Sequence, residues 1–168
     1  MKIIIGLGNP GKEYHQTRHN AGRMAAQYFA RKNDFPEFEF SKKYQSLIAD
    51  KKIKDEKFLL LLPETFMNHS SKAVKGLPPK NLTIIHDDID LPLGKLKISF
   101  GRGSGGHKGV ESIIRTLKTK DFWRIRIGVA PKKKPPQKEI PKFLLSDFKP
   151  SELKELQKIF KKIEVALI

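Results

Sequence analysis

His19 lies directly before Asn20, a residue able to cap a helix whose apolar face is Ala21, Met24, Ala25, Tyr28 and Phe29, at i, i+3, i+4, i+7 and i+8. The positive end of a helix dipole disfavours imidazolium, which keeps a histidine there neutral and available as a base. A carboxylate beside it acts the other way on its pKa, but fixes the tautomer and stabilises the charge formed during proton transfer. Asp87, following the β-rich run Leu82–His86, is the carboxylate best suited to this. A His–Asp pair with no Ser or Cys nucleophile points to a base-activated water attacking an ester or amide. The plainer alternative for His19 is a cap or a surface residue. His15 and His69 read as surface loop residues, and His86 as a core histidine.

Three polar segments follow three apolar strands: Asn9 after the first, Asn68 after Pro63, and Asp87 after Ile85-His86. In open α/β sheets ligands bind beyond the carboxyl ends of the strands, so parallel neighbours would bring these residues to one crevice. The five-glycine stretch Gly101–Gly109 opens a helix beginning near Val110. Backbone N–H groups there, with Arg102 and Lys108 beside them, suit a phosphate or an oxyanion, and a flexible hinge is the alternative. Gly6-Leu7-Gly8-Asn9-Pro10-Gly11 matches a dinucleotide fingerprint in form, but the acidic ribose partner is missing, since Asp34 follows a helix rather than a strand. His86-Asp87-Asp88-Ile89-Asp90 matches no EF-hand spacing, and an Asp-rich turn is its commoner explanation. Neither metal nor cofactor is expected.

The elements that must position these residues alternate. Lys2–Leu7 reads as a buried strand and Ala21–Phe29 as a helix. Phe35–Phe40 reads as a connection, and Tyr44–Ala49 with Lys57–Leu62 as a hairpin about Lys54-Asp55. Ser70–Val74 reads as a short helix, and Lys95–Phe100 as a strand. Trp123, Ile125, Ile127 and Val129 alternate with Arg124 and Arg126 along another strand. Ser151 can cap a last helix with Leu153, Leu156, Ile159, Phe160 and Ile163 inward. The expected fold is α/β: a single domain over 1–168, with a mixed, largely parallel central β-sheet flanked by helices. Residues 137–168 form a short C-terminal helical segment.

The 168 residues carry a formal net charge of +16 and no Cys. Disulfides, thiol catalysis and Cys-ligated metals are therefore excluded. Residues 95–134 alone hold 12 basic and 2 acidic side chains, a local positive field that favours a polyanion such as nucleic acid over a merely solubilising surface. No apolar run approaches the ~18 residues of a membrane span, and the N-terminus breaks too early for a signal peptide. A cytoplasmic monomer is expected, with no membrane partner.

Taken together, Gly6–Tyr14, Thr17–Gly22, Thr65–Asn68, His86–Pro92 and Gly105–Gly109 resemble, in order and spacing, the bacterial peptidyl-tRNA hydrolase family; Arg124–Gly128 fits its late strand. The resemblance implies hydrolysis of the ester joining a peptide to the terminal ribose of tRNA, recycling tRNA from stalled translation without metal or cofactor. By that analogy His19 takes a proton from the attacking water and Asp87 stabilises its basic form. Asn9 senses the peptide-bearing nitrogen, while Tyr14, Phe66, Met67 and Asn68 hold the 3′ end and the substrate backbone. The acceptor stem is the implied partner. Three departures stand out: Lys108 replaces the family's Asn, with donors only. Arg126 matches one member of a basic pair for the 5′ phosphate, but the other place falls on Ser99, so that Lys97 or Arg102 must substitute. The chain stops at Ile168 inside its last helix, where the family usually runs further, so that either the lid is reduced or the chain has been cut short. A catalytically silent RNA-binding relative of the same fold is the competing expectation; the intact His19, Asp87, Asn9 and Asn68 set favours the enzyme.

Overall fold

The computed structural model describes residues 1–168. Its strands are β1 (Lys2–Gly6), β2 (Glu39–Ser41), β3 (Ser46–Ile53), β4 (Glu56–Pro63), β5 (Leu82–Pro92), β6 (Leu96–Phe100) and β7 (Trp123–Ala130). They form one sheet in the order β2-β3-β4-β1-β5-β7-β6. The central four run parallel, while β2 and β3 on one side and β6 on the other add antiparallel edges. The helices are α1 (Ala21–Lys32), α2 (Lys108–Leu117), α3 (Ile140–Leu144) and α4 (Pro150–Leu167). The α/β expectation, with its mixed and largely parallel sheet, is met.

The period-two side-chain alternation of β1 divides the core. Ile3 and Ile5 join Ile84 of β5 and Val110 and Ile113 of α2 on one face. Ile4 joins Ile85, Ala25 and Phe29 of α1, and Phe160 of α4 on the other. Each such fully buried Ile or Phe contributes about 1.5–3 kcal/mol of transfer free energy. Helices on both faces explain why the central strands read as continuous apolar runs.

Several local expectations need correction. Phe35–Phe40 is not wholly a connection, because Glu39 and Phe40 pair with β3 as the edge strand β2. The helix expected at Ser70–Val74 is a 3₁₀ segment spanning Met67–Val74, kinked at His69. The last helix begins at Pro150 and is capped from Lys149, whose N–H donates to Glu152 at 2.7 Å, rather than by Ser151. Trp123 and Arg124 exchange the burial that their types suggest: Trp123 is 47% exposed and Arg124 only 2%. The alternation holds, but its polar side faces the floor of the crevice described below and the Trp123 end of its apolar side lies uncovered.

Two glycines permit the approach of helices that the site requires. A Cβ at Gly22 of α1 would stand 2.1 Å from the Ile85 carbonyl oxygen on β5. One at Gly109 of α2 would stand 2.6 Å from the Met67 sulfur. A side chain at Gly22 would meet the β5 backbone and push the start of α1 off the sheet, whereas at Gly109 the Met67 side chain would have to move aside.

Candidate active site

Because β4, β1 and β5 are parallel neighbours, their carboxyl ends deliver Asn68, Asn9 and Asp87 to one crevice of about 960 Å³. His19, Phe66, Met67, His107, Lys108 and Arg126 line it as well. Asp87 does not lie beyond its strand as expected. It is inside β5, still paired with Ile127 of β7, and is 2% exposed. His19 is carried by the 3₁₀ turn Arg18–Asn20 that leads into α1.

Asp87 is the hub. His19 Nδ1 lies 2.8 Å from its Oδ2, and His107 Nε2 lies 2.8 Å from its Oδ1. His107 Nδ1 accepts the Val110 N–H at 3.3 Å, so its proton sits on Nε2 and is donated to Asp87. His19 likewise donates from Nδ1, which leaves its Nε2 as the acceptor on a ring lining the crevice. Burial pushes the Asp87 carboxyl up, but the charge and hydrogen bonds of His19 and His107 outweigh it and hold Asp87 well below the usual carboxylate range. Burial pulls His19 down, but the Asp87 carboxylate beside it wins and raises its pKa above 6.5. His86 is the expected core histidine. Burial, reinforced by His107, keeps it neutral, and its Nδ1 donates to the Asp87 carbonyl at 2.7 Å. The facing atoms of His19, Asp87 and His107 lie within 4.8 Å of one another, a donor set able to hold a cation. Each atom is already committed to a hydrogen bond, and a metal would have to displace both imidazole protons.

Asn9 is positioned by a second polar residue. Asn20 does not cap α1: its Oδ1 accepts the Asn9 N–H and its Nδ2 donates to the Asn9 carbonyl, both at 2.9 Å. The Met67 N–H donates to Asn9 Oδ1 at 2.8 Å. That bond assigns the oxygen, and so leaves the Asn9 amide NH₂ free to donate. Phe66 is 56% exposed at the rim, with the Tyr14 ring edge-on at 6.3 Å. Tyr14 itself stands outside the crevice lining and reaches it only through Phe66.

The floor is cationic. Arg126 Nε donates to Asp88 at 2.8 Å, and across β6 it faces Lys97, while Arg124 faces Ser99. Lys97, Arg102 and Lys108 all line the crevice. Burial, and then Arg126, lowers the Arg124 pKa.

The wall opposite is apolar, from Ile140, Leu144 and Leu145 on and beside α3. It is tied to the His19 turn. Arg18 donates to Ser146 Oγ, the Asp147 carbonyl and Glu152 at 2.6–2.7 Å, with its guanidinium 4.5 Å from the Phe143 ring centroid. The Arg18 N–H also donates to the Ser146 carbonyl, and the Phe148 N–H to that of Gln16.

His107 and Asn20 are the contributors that sequence reasoning did not single out in these roles. The position of His107 directly before α2, after the glycines, was the available signal. One of the helix-start N–H groups expected to meet a ligand is spent on that histidine.

No helix is long and apolar enough to cross a membrane. The peptidyl-tRNA hydrolase family model matches residues 3–168. The peptidyl-tRNA hydrolase of Thermodesulfovibrio yellowstonii is 40% identical to this chain, covering 100% of it and 91% of that protein. That of Aquifex aeolicus is also 40% identical, covering 96% and 85%. The solved peptidyl-tRNA hydrolase structure from Acinetobacter baumannii superposes with a TM-score of 0.87 at 30% identity, covering 96% of this chain and 83% of that one. With the crevice, its residues and these likenesses in agreement, the chain belongs to the peptidyl-tRNA hydrolase family, a family of enzymes.

Proposed function

We propose that this enzyme cleaves the ester between the peptide carboxyl and the terminal ribose of tRNA, with His19 as general base. The observation that carries the reading is the fixed tautomer. Asp87 accepts the hydrogen bond from His19 Nδ1–H, and its other oxygen is filled by His107, so the His19 Nε2 lone pair is held toward the crevice. Water bound there loses a proton to Nε2 as its oxygen attacks the ester carbonyl carbon. Collapse of the tetrahedral intermediate breaks the carbon–ribose oxygen bond, and the imidazolium returns its proton to the ribose oxygen. The products are a free peptide acid and tRNA with its terminal hydroxyl restored.

The free Asn9 NH₂ donates to a carbonyl of the substrate's peptide. An unblocked aminoacyl-tRNA presents an ammonium instead, and two donors facing each other disfavour it. Phe66, buttressed by Tyr14, offers a ring face to the 3′-terminal base, and Asn68 and Met67 border the substrate backbone. Lys97, directly across from Arg126, is the replacement for the basic partner missing at Ser99; Arg102 flanks it from the loop. Lys108 supplies a cation to the ester oxygen or a neighbouring phosphate. The protein acts on its substrate as a monomer in the cytoplasm.

Hydrolysis of N-acetyl-aminoacyl-tRNA, beside the unblocked substrate and His19→Ala, tests this. Cleavage of the blocked substrate, reduced at least ~10²-fold in the variant, is expected. Activity within a few-fold of the parent would remove His19 as base. Tight tRNA binding with no cleavage by the parent would leave the silent RNA-binding reading.

A further inference from the structure

The two strands that floor the crevice carry a second feature on their opposite face. Phe100 of β6 and Trp123 of β7 are direct cross-strand partners, with ring centroids 5.2 Å apart at 58°. Each is 47% exposed, and Ile98, two residues along the same face, is 50% exposed. β6 is also the edge of the sheet. Exposed apolar side chains on an edge strand are a pairing hazard, and a contiguous patch of them marks an interaction surface.

The surrounding charge selects the partner. Arg102 follows Phe100 by two residues, and Lys118 and Lys120 precede Trp123; all three are exposed and form no ion pair. Asp121 is the single acid between Lys118 and Trp123. A second copy of a chain with net charge +16 would set these cations against their own kind. A polyanion with flat, stackable bases meets both the rings and the charges. Ile98 on the edge strand β6 also lines the crevice, as does Arg102 just beyond that strand, so the two faces meet around the sheet edge.

We propose that Phe100 and Trp123 form an aromatic platform for the RNA part of the substrate. An unpaired base or an exposed ribose lies against the rings, and Arg102, Lys118 and Lys120 take the flanking phosphates. The proposal rests on peptidyl-tRNA being the substrate.

Trp123 is the only tryptophan in the chain, so the protein's tryptophan emission reports on this face alone. The experiment titrates the full chain with deacylated tRNA, following emission and filter retention in parallel. Loss of emission that saturates together with retention is expected. Trp123→Leu, which keeps an apolar contact with Phe100 but removes the large ring face, weakens retention roughly 5-fold or more. Retention with flat emission, or an unchanged affinity for Trp123→Leu, overturns the platform and leaves the hydrolase reading intact. Emission that changes with protein concentration in the absence of RNA assigns the face to a second copy and also overturns it. A protein that neither retains tRNA nor cleaves its esters removes both readings.

Discussion

Replacing Asp87 with Asn preserves shape and tests the tautomer directly. Asn offers one acceptor and one donor where Asp87 offers two acceptors. The Val110 N–H holds His107 with its proton on Nε2, so that proton claims the new carbonyl oxygen. The NH₂ is then turned toward His19 Nδ1 and forces its proton to Nε2, the atom that must accept one from water. A base held in the wrong tautomer costs about 10⁴-fold in the analogous serine-protease triad, so kcat should fall by roughly 10³–10⁴. The pH profile adds a second sign. The parent's acid limb in kcat/KM should lie above 6.5, because Asp87 holds the His19 pKa up against burial. In Asp87→Asn burial acts alone, and any residual limb moves below 6.5. The same substitution changes acid stability. Asp87 ionises at a lower pH folded than unfolded, so its contribution is full above the unfolded value of 3.8 and is lost as pH falls through the folded one. The variant should therefore lose less stability than the parent in acid. The assays are N-acetyl-aminoacyl-tRNA hydrolysis across pH, acid unfolding, and ring-nitrogen NMR of His19. Retention of activity within about 10-fold, with His19 still protonated at Nδ1, would refute the tautomer argument.

Gly22→Ala should lower stability by about 2–3 kcal/mol through overpacking against the Ile85 carbonyl, or roughly 4–12 °C in Tm. It should also reduce hydrolysis, because the displaced helix start carries His19. Thermal unfolding and turnover are the checks. Lys97→Ala should raise KM for tRNA esters and flatten the salt dependence of binding by a slope of about 1, as expected for one lost phosphate contact. An unchanged slope in a salt titration would move the phosphate contact from Lys97 to Arg102.

Much of this arrangement is legible without coordinates, because it depends on strand order. Apolar runs at Lys2–Leu7, Lys57–Leu62 and Leu82–His86, each followed by a polar residue, imply a shared edge if the strands are parallel, and β4-β1-β5 are. What escapes local reading is residues with two local options and one distant partner. Asn20 has the type and position of a cap, yet its amide serves Asn9, eleven residues earlier. Asp87 looks like the start of a turn because charge follows it, but pairing with β7 carries the strand on past it to Pro92. Arg124 has the chemistry of a surface residue, and only the fold over the crevice floor buries it. His107 is hidden by the glycines around it, whose composition suggests a loop for ligands rather than the cap of a helix.

The Arg18 tether has a consequence for local unfolding. Its guanidinium and backbone bind residues 146–152 to the turn that also contains His19, and α3, the apolar wall, leads directly into that segment. Sub-global openings follow contiguous hydrogen-bonded units rather than chain order. The wall and the base therefore belong to one cooperative unit, although over 120 residues of sequence separate them. Amides at Arg18 and Phe148 should exchange with solvent in the same opening event, and each such opening dismantles the catalytic turn along with the wall.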